Sequence, residues 1–208
     1  MDVRLEEEEE KKEEDIISEL QSKNLELSLF KARKVFLWGE VDYDSARSVV
    51  TRLLALEVED PNKEIVLYVN SPGGSLYDGL AIYDAMQAVQ APVSTVTVGM
   101  AASAGALVLT GGAKGRRFAW PHARIMIHQP LMGGQYVGSA SDIEIHAQEF
   151  LRSRELVNQI LADHSGQSLE QMEKDTDRNN WMSAQEAVDY GLIDGIIKTM
   201  SPALNGQS

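Results

Sequence analysis

At 208 residues, 43% hydrophobic and 25% charged, the chain is sized and composed like one globular domain with a substantial buried core. A net charge of −13 argues against a phosphate-binding surface for nucleic acid. No apolar run nears the length of a membrane span and no apolar signal core opens the chain, so a cytoplasmic protein without a membrane partner is expected. The absence of cysteine excludes disulfides, a cysteine nucleophile and thiolate metal sites.

Residues 1–15 carry nine acids and three bases; Glu6–Glu10 repel one another with little apolar surface to bury, which predicts a disordered acidic tail. Over 16–33 the spacing Ile16/Ile17, Leu20, Leu27 predicts an amphipathic helix that docks on this subunit or on a neighbour. The body, residues 34–200, then alternates strands and helices. Lys34–Trp38 reads as a strand and Ser45–Glu57 as a helix with Val49, Leu53 and Leu56 on one face. A turn at Glu59–Asn62 leads to the strand Glu64–Val69 and a helix from Tyr77 to Gln87. The strand Ser94–Val98 runs into Gly99-Met-Ala-Ala-Ser103-Ala-Gly105 and a short helix over Ala106–Leu109. Strands follow at Arg117–Ala119 and Arg124–Ile127. A glycine-rich extended stretch follows Pro130, then a helix from Ser141 to Asp163 that is longer than the body needs to cover itself. A helix over Ser168–Asp175, another over Met182–Tyr190 and a strand over Gly191–Ile197 complete the body, and 201–208 is a fraying tail. The β-α-β succession predicts an α/β fold with a largely parallel sheet and right-handed crossovers.

In such sheets ligands collect beyond the carboxyl ends of the strands. Gly73/Gly74, Ser103 and His128 each follow a predicted strand and therefore belong at one edge. A lone serine among Ala and Gly serves more often as a helix cap, and a lone histidine more often as a satisfied core residue. That bland reading is kept for His122, His146 and His164. At Ser103 and His128 the company of the other motif outweighs it. The serine is not in a G-x-S-x-G elbow, because position 101 is Ala. Ser103 and His128 together suit acyl transfer, with the hydroxyl as nucleophile and the imidazole as its base. The histidines lack metal-ligand spacing, and Gly111–Gly115 lacks the elements of a phosphate loop, so neither a metal nor ATP is expected on this chain.

Four motifs, Val69-Asn-Ser-Pro-Gly-Gly74, Gly99–Gly105, Ile125-Met-Ile-His-Gln-Pro130 and Lys174-Asp-Thr-Asp-Arg178, closely resemble the proteolytic subunit of the Clp ATP-dependent protease, over about Val35 to Ile197. The resemblance implies the ClpP/crotonase-like fold of repeated β-α-β units, with a projecting handle helix and strand over about 130–164. It implies a serine endopeptidase of a self-compartmentalised barrel, two heptameric rings stacked as a tetradecamer. Such a barrel hydrolyses unfolded polypeptides fed by an AAA+ Clp unfoldase, which alone uses ATP. By motif position it assigns the nucleophile to Ser103, the base to His128 and the oxyanion donors to the N–H groups of Gly74 and Ala104. Aligned from Gly166 through Arg178, the family's aspartate position holds Asn179, which can orient the imidazole but cannot offset its positive charge. Low or partner-dependent activity is therefore expected. Asp175 and Asp177 are alternatives for the missing carboxylate if the local backbone differs from the family's.

The resemblance is incomplete in three further respects: the axial loop sequence is unrecognisable, the handle strand region is two residues longer than usual, and position 104 is Ala where Met is usual. In the ATPase-docking pocket, Tyr68, Phe118 and Trp120 fit the family, whereas Val66 and Ala88 replace larger residues. A mainly structural or regulatory subunit in a mixed ring with a paralogous Clp subunit is the second expectation. An acyl-CoA enzyme of the same superfold is a weaker third, since it requires neither the Ser103–His128 pair nor the long helix.

Overall fold

The computed structural model describes residues 18–131, 133 and 137–199. The acidic run 1–15, Ile16/Ile17, the tail 201–208 and parts of the extended stretch after Pro130 lie outside the described residues.

A helix over 18–31 (α1) leads into β1 (Lys34–Trp38), α2 (Tyr43–Glu59), β2 (Ile65–Ser71), α3 (Leu76–Ala88) and β3 (Val93–Ala102). Then come α4 (Ala104–Thr110), β4 (Arg117–Ala119), β5 (Arg124–Ile127), α5 (Ala140–Ser165), α6 (Leu169–Asp175), β6 (Asn180–Ser183), α7 (Ala184–Tyr190) and β7 (Gly195–Ile196). The strands form one sheet in the order β1-β2-β3-β4-β7, all parallel, with β5 parallel to β3 and β6 antiparallel to β5. The mixed α/β architecture with a mostly parallel sheet is as expected and consistent with the ClpP/crotonase fold.

Local chemistry explains the elements. The Asp42 side chain accepts from the Ser45 N–H, and Ser45 returns a bond to the Asp42 N–H. This box starts α2 two residues earlier than the apolar spacing suggests. Its buried face, Ala46, Val49, Leu53 and Leu56, follows the 3.6-residue period and packs in the main core with Val35, Leu37, Leu67 and Ile82. The other sheet face carries a smaller cluster, Val66, Tyr68 and Val96, flanked by Phe36 and Phe118, with the Phe36 and Tyr68 rings stacked at 5.3 Å. Five residues in succession, Ile65–Val69, are buried because β2 is covered on both faces.

Three readings are corrected. β3 does not end at Val98: it bulges at Gly99 and continues to Ala102. Asn180–Ser183, partly assigned to the following helix, is instead a strand paired with β5. β7 covers only Gly195–Ile196. Leu20 and Leu27 of α1 remain about half exposed, at 55% and 49%, so neither of these two residues is buried against its own subunit. Toward its carboxyl end Leu29 and Phe30 become partly buried, and Phe30 packs against the core.

Helix α5 runs 26 residues, about 39 Å at 1.5 Å per residue. It is buried only near its carboxyl end, at Val157, Asn158, Ile160, Leu161 and Ala162. Toward its amino end Ile143, Ile145 and Leu151 are exposed on this chain.

Candidate active site

Three strand ends converge, as the chain order implies. Ser103 follows β3 directly, His128 follows β5 directly, and the Pro72–Gly74 turn follows β2. Ser103 sits at φ 55°, ψ −123°, an unfavourable backbone conformation for a residue with a Cβ, costing about 1–3 kcal/mol. Its N–H donates to the Met126 carbonyl at 2.9 Å, which ties it to β5. Although it precedes α4, its hydroxyl makes no capping bond to that helix. Instead Oγ lies 2.8 Å from His128 Nε2. The strained φ was not readable from sequence, since the flanking pattern of a nucleophile elbow is absent.

His128 Nδ1 lies 2.9 Å from Asn179 Oδ1. A carbonyl oxygen only accepts, so in this arrangement Nδ1 carries the proton and Nε2 presents its lone pair to the Ser103 hydroxyl. Asn179 is thus the third member of an unbroken hydrogen-bond chain. Asp175 accepts instead from the Tyr190 hydroxyl at 2.7 Å and from Gln171, and burial followed by this carboxylate pushes the Tyr190 phenol strongly up. Asp177 accepts from the Gln129 amide at 3.2 Å. Neither takes the place beside Nδ1.

The Asn179 loop is held by residues to which no role is assigned from sequence. The Gln129 N–H donates to the Thr176 carbonyl at 2.6 Å and its side-chain amide to the Asp177 carbonyl at 2.9 Å. The Thr176 hydroxyl donates to Asn158 Oδ1 on α5 at 2.8 Å. Gln129 lies within the Ile125–Pro130 motif, and a polar Asn158 among the buried positions of α5 is the available signal for the second contact.

Gly74 and Ala104, whose N–H groups are the expected oxyanion donors, border the same cavity as Ser103. In the turn after β2, the Gly73 N–H is taken by Ser71 Oγ at 3.1 Å and the Ser75 N–H by the Val41 carbonyl at 2.8 Å. Among the described residues the Gly74 N–H between them has no protein acceptor. A side chain on either glycine would collide: a Cβ on Gly73 would lie 2.6 Å from Ser103 Cβ, and one on Gly74 would strike the Val41 carbonyl. The Ala104 N–H opens α4 and has no intrahelical acceptor by position.

Ser103, Ala104, His128 and Gly74 border a cavity of about 290 Å³. Its other walls include Leu76, Leu107, Ile127 and Leu161, an apolar pocket beside the nucleophile.

The remaining histidines are elsewhere. His122 and His146 are exposed, contrary to the core role expected of them. His164 is half-buried, with Nε2 2.9 Å from the Tyr83 hydroxyl; burial first and Arg117 second hold its pKa below the ordinary value, against Asp163. Among the described residues no group of His, Asp and Glu is arranged to hold a metal ion, and no helix is long and apolar enough to cross a membrane.

Comparison with models of protein families matches residues 17–200 to the family described as Clp protease. With that match spanning most of its length, the chain belongs to the Clp protease family.

Proposed function

We propose that this chain is a serine endopeptidase subunit in which Ser103 attacks the peptide carbonyl, His128 takes and returns the proton, and Asn179 orients the ring. The observation that carries the reading is the continuous Ser103–His128–Asn179 chain of 2.8 and 2.9 Å contacts at the mouth of an apolar cavity. As Oγ bonds to the scissile carbon, its proton passes to Nε2, and the carbonyl oxygen gathers negative charge beside the Gly74 and Ala104 N–H groups. Such donors contribute most where they meet charge that develops only in the transition state. Collapse of this intermediate expels the amine, which receives the proton from His128 and leaves an ester on Ser103. Water, deprotonated by the same imidazole, then releases the acid product and restores the serine.

The apolar cavity suits the side chain on the acyl side of the cut bond. Burying a leucine there is worth about 1.5–3 kcal/mol. Membership of the family supports ring assembly, here heptamers stacked as a tetradecamer, with unfolded substrates delivered by an AAA+ unfoldase. The exposed apolar residues at the amino end of α5 suit a contact between copies.

A second reading is a mainly structural or regulatory subunit in a mixed ring, and it is favoured by one residue, Asn179. An uncharged amide leaves the imidazolium formed during attack without a counter-charge. In serine proteases of another fold, the equivalent Asp-to-Asn change lowers kcat by about 10⁴. The discriminating experiment is hydrolysis of an unstructured peptide by the purified protein, alone and mixed with a paralogous Clp subunit. Turnover that Ser103→Ala abolishes, in either sample, supports the peptidase. A normally assembled protein that adds no Ser103-dependent turnover to either sample supports the structural subunit.

A further inference from the structure

Strand β3 changes neighbours halfway along its length. Thr95–Thr97 pair with β4, whereas Met100–Ala102 pair with β5. The change occurs at a bulge against β2. Val69 is opposite Thr97, but Ser71 is opposite Ala101, so one intervening residue on β2, Asn70, faces three on β3. Gly99 lies within that excess at φ +80°, a left-handed conformation that suits glycine.

The Asn70 side chain fills the bulge. Its Oδ1 accepts from the Met100 N–H at 3.3 Å, and it would lie 2.8 Å from a Cβ placed on Gly99. The Asn70 main-chain carbonyl is already taken by the Gly39 N–H at 2.9 Å, so the side chain supplies the acceptor that the interrupted ladder lacks.

We infer that Asn70 is a positioning residue for the nucleophile: its carboxamide templates the β3 bulge, and the bulge aligns Ser103 with His128. The inference rests on the serine-peptidase reading above. Had β3 kept its first register, Ser71 would face Gly99 rather than Ala101. The strand beyond would then be displaced by two residues, about 7 Å. A misplacement of about 1 Å can already cost 10²-fold in rate, so even partial relaxation of the bulge would uncouple hydroxyl from imidazole. The smaller backbone change is decisive because Ser103 is fastened to β5 through the Met126 carbonyl immediately after the switch.

The test compares the assembled protein with Asn70→Ala, Asn70→Leu and Asn70→Asp, measuring fluorophosphonate labelling of Ser103 per folded subunit, thermal stability, and the crystal structure of Asn70→Ala. A fall in labelling of about 10- to 100-fold in the Ala and Leu variants is expected, with partial rescue by Asp, which keeps an oxygen acceptor for the Met100 N–H. Gly99→Ala should be similarly impaired, and its added cost should shrink in the Asn70→Ala background, where the obstructing Oδ1 is gone. Labelling of Asn70→Ala at the parental rate, whether or not its stability falls, would overturn the inference while leaving the peptidase reading intact. If the parent is labelled neither alone nor mixed with a paralogous Clp subunit, the peptidase reading fails and the crystal structure of Asn70→Ala decides for Asn70. Loss of the Ser71–Ala101 pairing then supports the templating role, and its retention overturns it.

Discussion

Replacing Asn179 with Asp restores a carboxylate where the site now holds an amide. The carboxylate would meet His128 Nδ1 at the present contact of 2.9 Å. Two effects favour turnover. A carboxylate has no N–H to offer, so it can only select the tautomer with the proton on Nδ1. An amide rotated by half a turn would present its N–H₂ instead and leave Nε2 protonated, unable to accept from Ser103. The second effect is charge. With about 4 Å between charge centres, the attraction to an imidazolium runs from about 1 kcal/mol in water to about 4 kcal/mol at an effective dielectric constant of 20. Asn179 is exposed, which places the gain toward the lower part of that range. The expected rise in kcat is therefore about 5- to 100-fold, with KM little changed. Peptide hydrolysis by size-matched assemblies of parent and variant measures it. An assembled Asn179→Asp protein with unchanged kcat would refute the reasoning that the amide limits the rate.

Further outcomes follow from other parts of the structure. Peptides with Leu before the cut bond should exceed those with Gly there by about 10- to 100-fold in kcat/KM, from the apolar surface buried in the cavity; equal rates would remove the cavity from substrate selection. Arg117 is 5% exposed and paired with Asp194 at 2.7 Å, so Asp194→Asn should destabilise the fold by about 3 kcal/mol, read as a fall in Tm of about 6–12 °C. For His164, a base whose folded pKa is depressed, the unfolded chain takes up the proton first. Stability linked to this group is therefore complete above 6.5 and is lost as pH falls below that value. Tm measured from pH 7.5 down to 5 should fall less steeply in His164→Gln than in the parent, and parallel profiles would contradict the linkage.

Most of the fold was legible because its strands are short apolar runs bounded by Gly, Pro and charge. β1, β4 and β5 have the bounds read from sequence, and the buried face of α2 follows its apolar period. β6 was not legible, because only Met182 of its four residues is buried and no alternation marks it. Gly99 was read as the end of β3 because glycine marks turns and bulges alike, and only pairing across to Asn70 distinguishes them. Ser103, His128 and Asn179 were identified from motif and order, and their meeting through hydrogen bonds is a long-range fact no local pattern contains. The same applies to Gln129, Thr176 and Asn158, whose contacts join segments distant in the chain.

Mass spectrometry of the fluorophosphonate-treated protein, alone and mixed with a paralogous subunit, asks whether Ser103 is a nucleophile. The structure predicts a phosphonyl adduct confined to Ser103, absent from Ser103→Ala and strongly reduced in His128→Ala. A correctly assembled protein that carries no adduct at Ser103 in either sample, or carries the same adduct without His128, would contradict it.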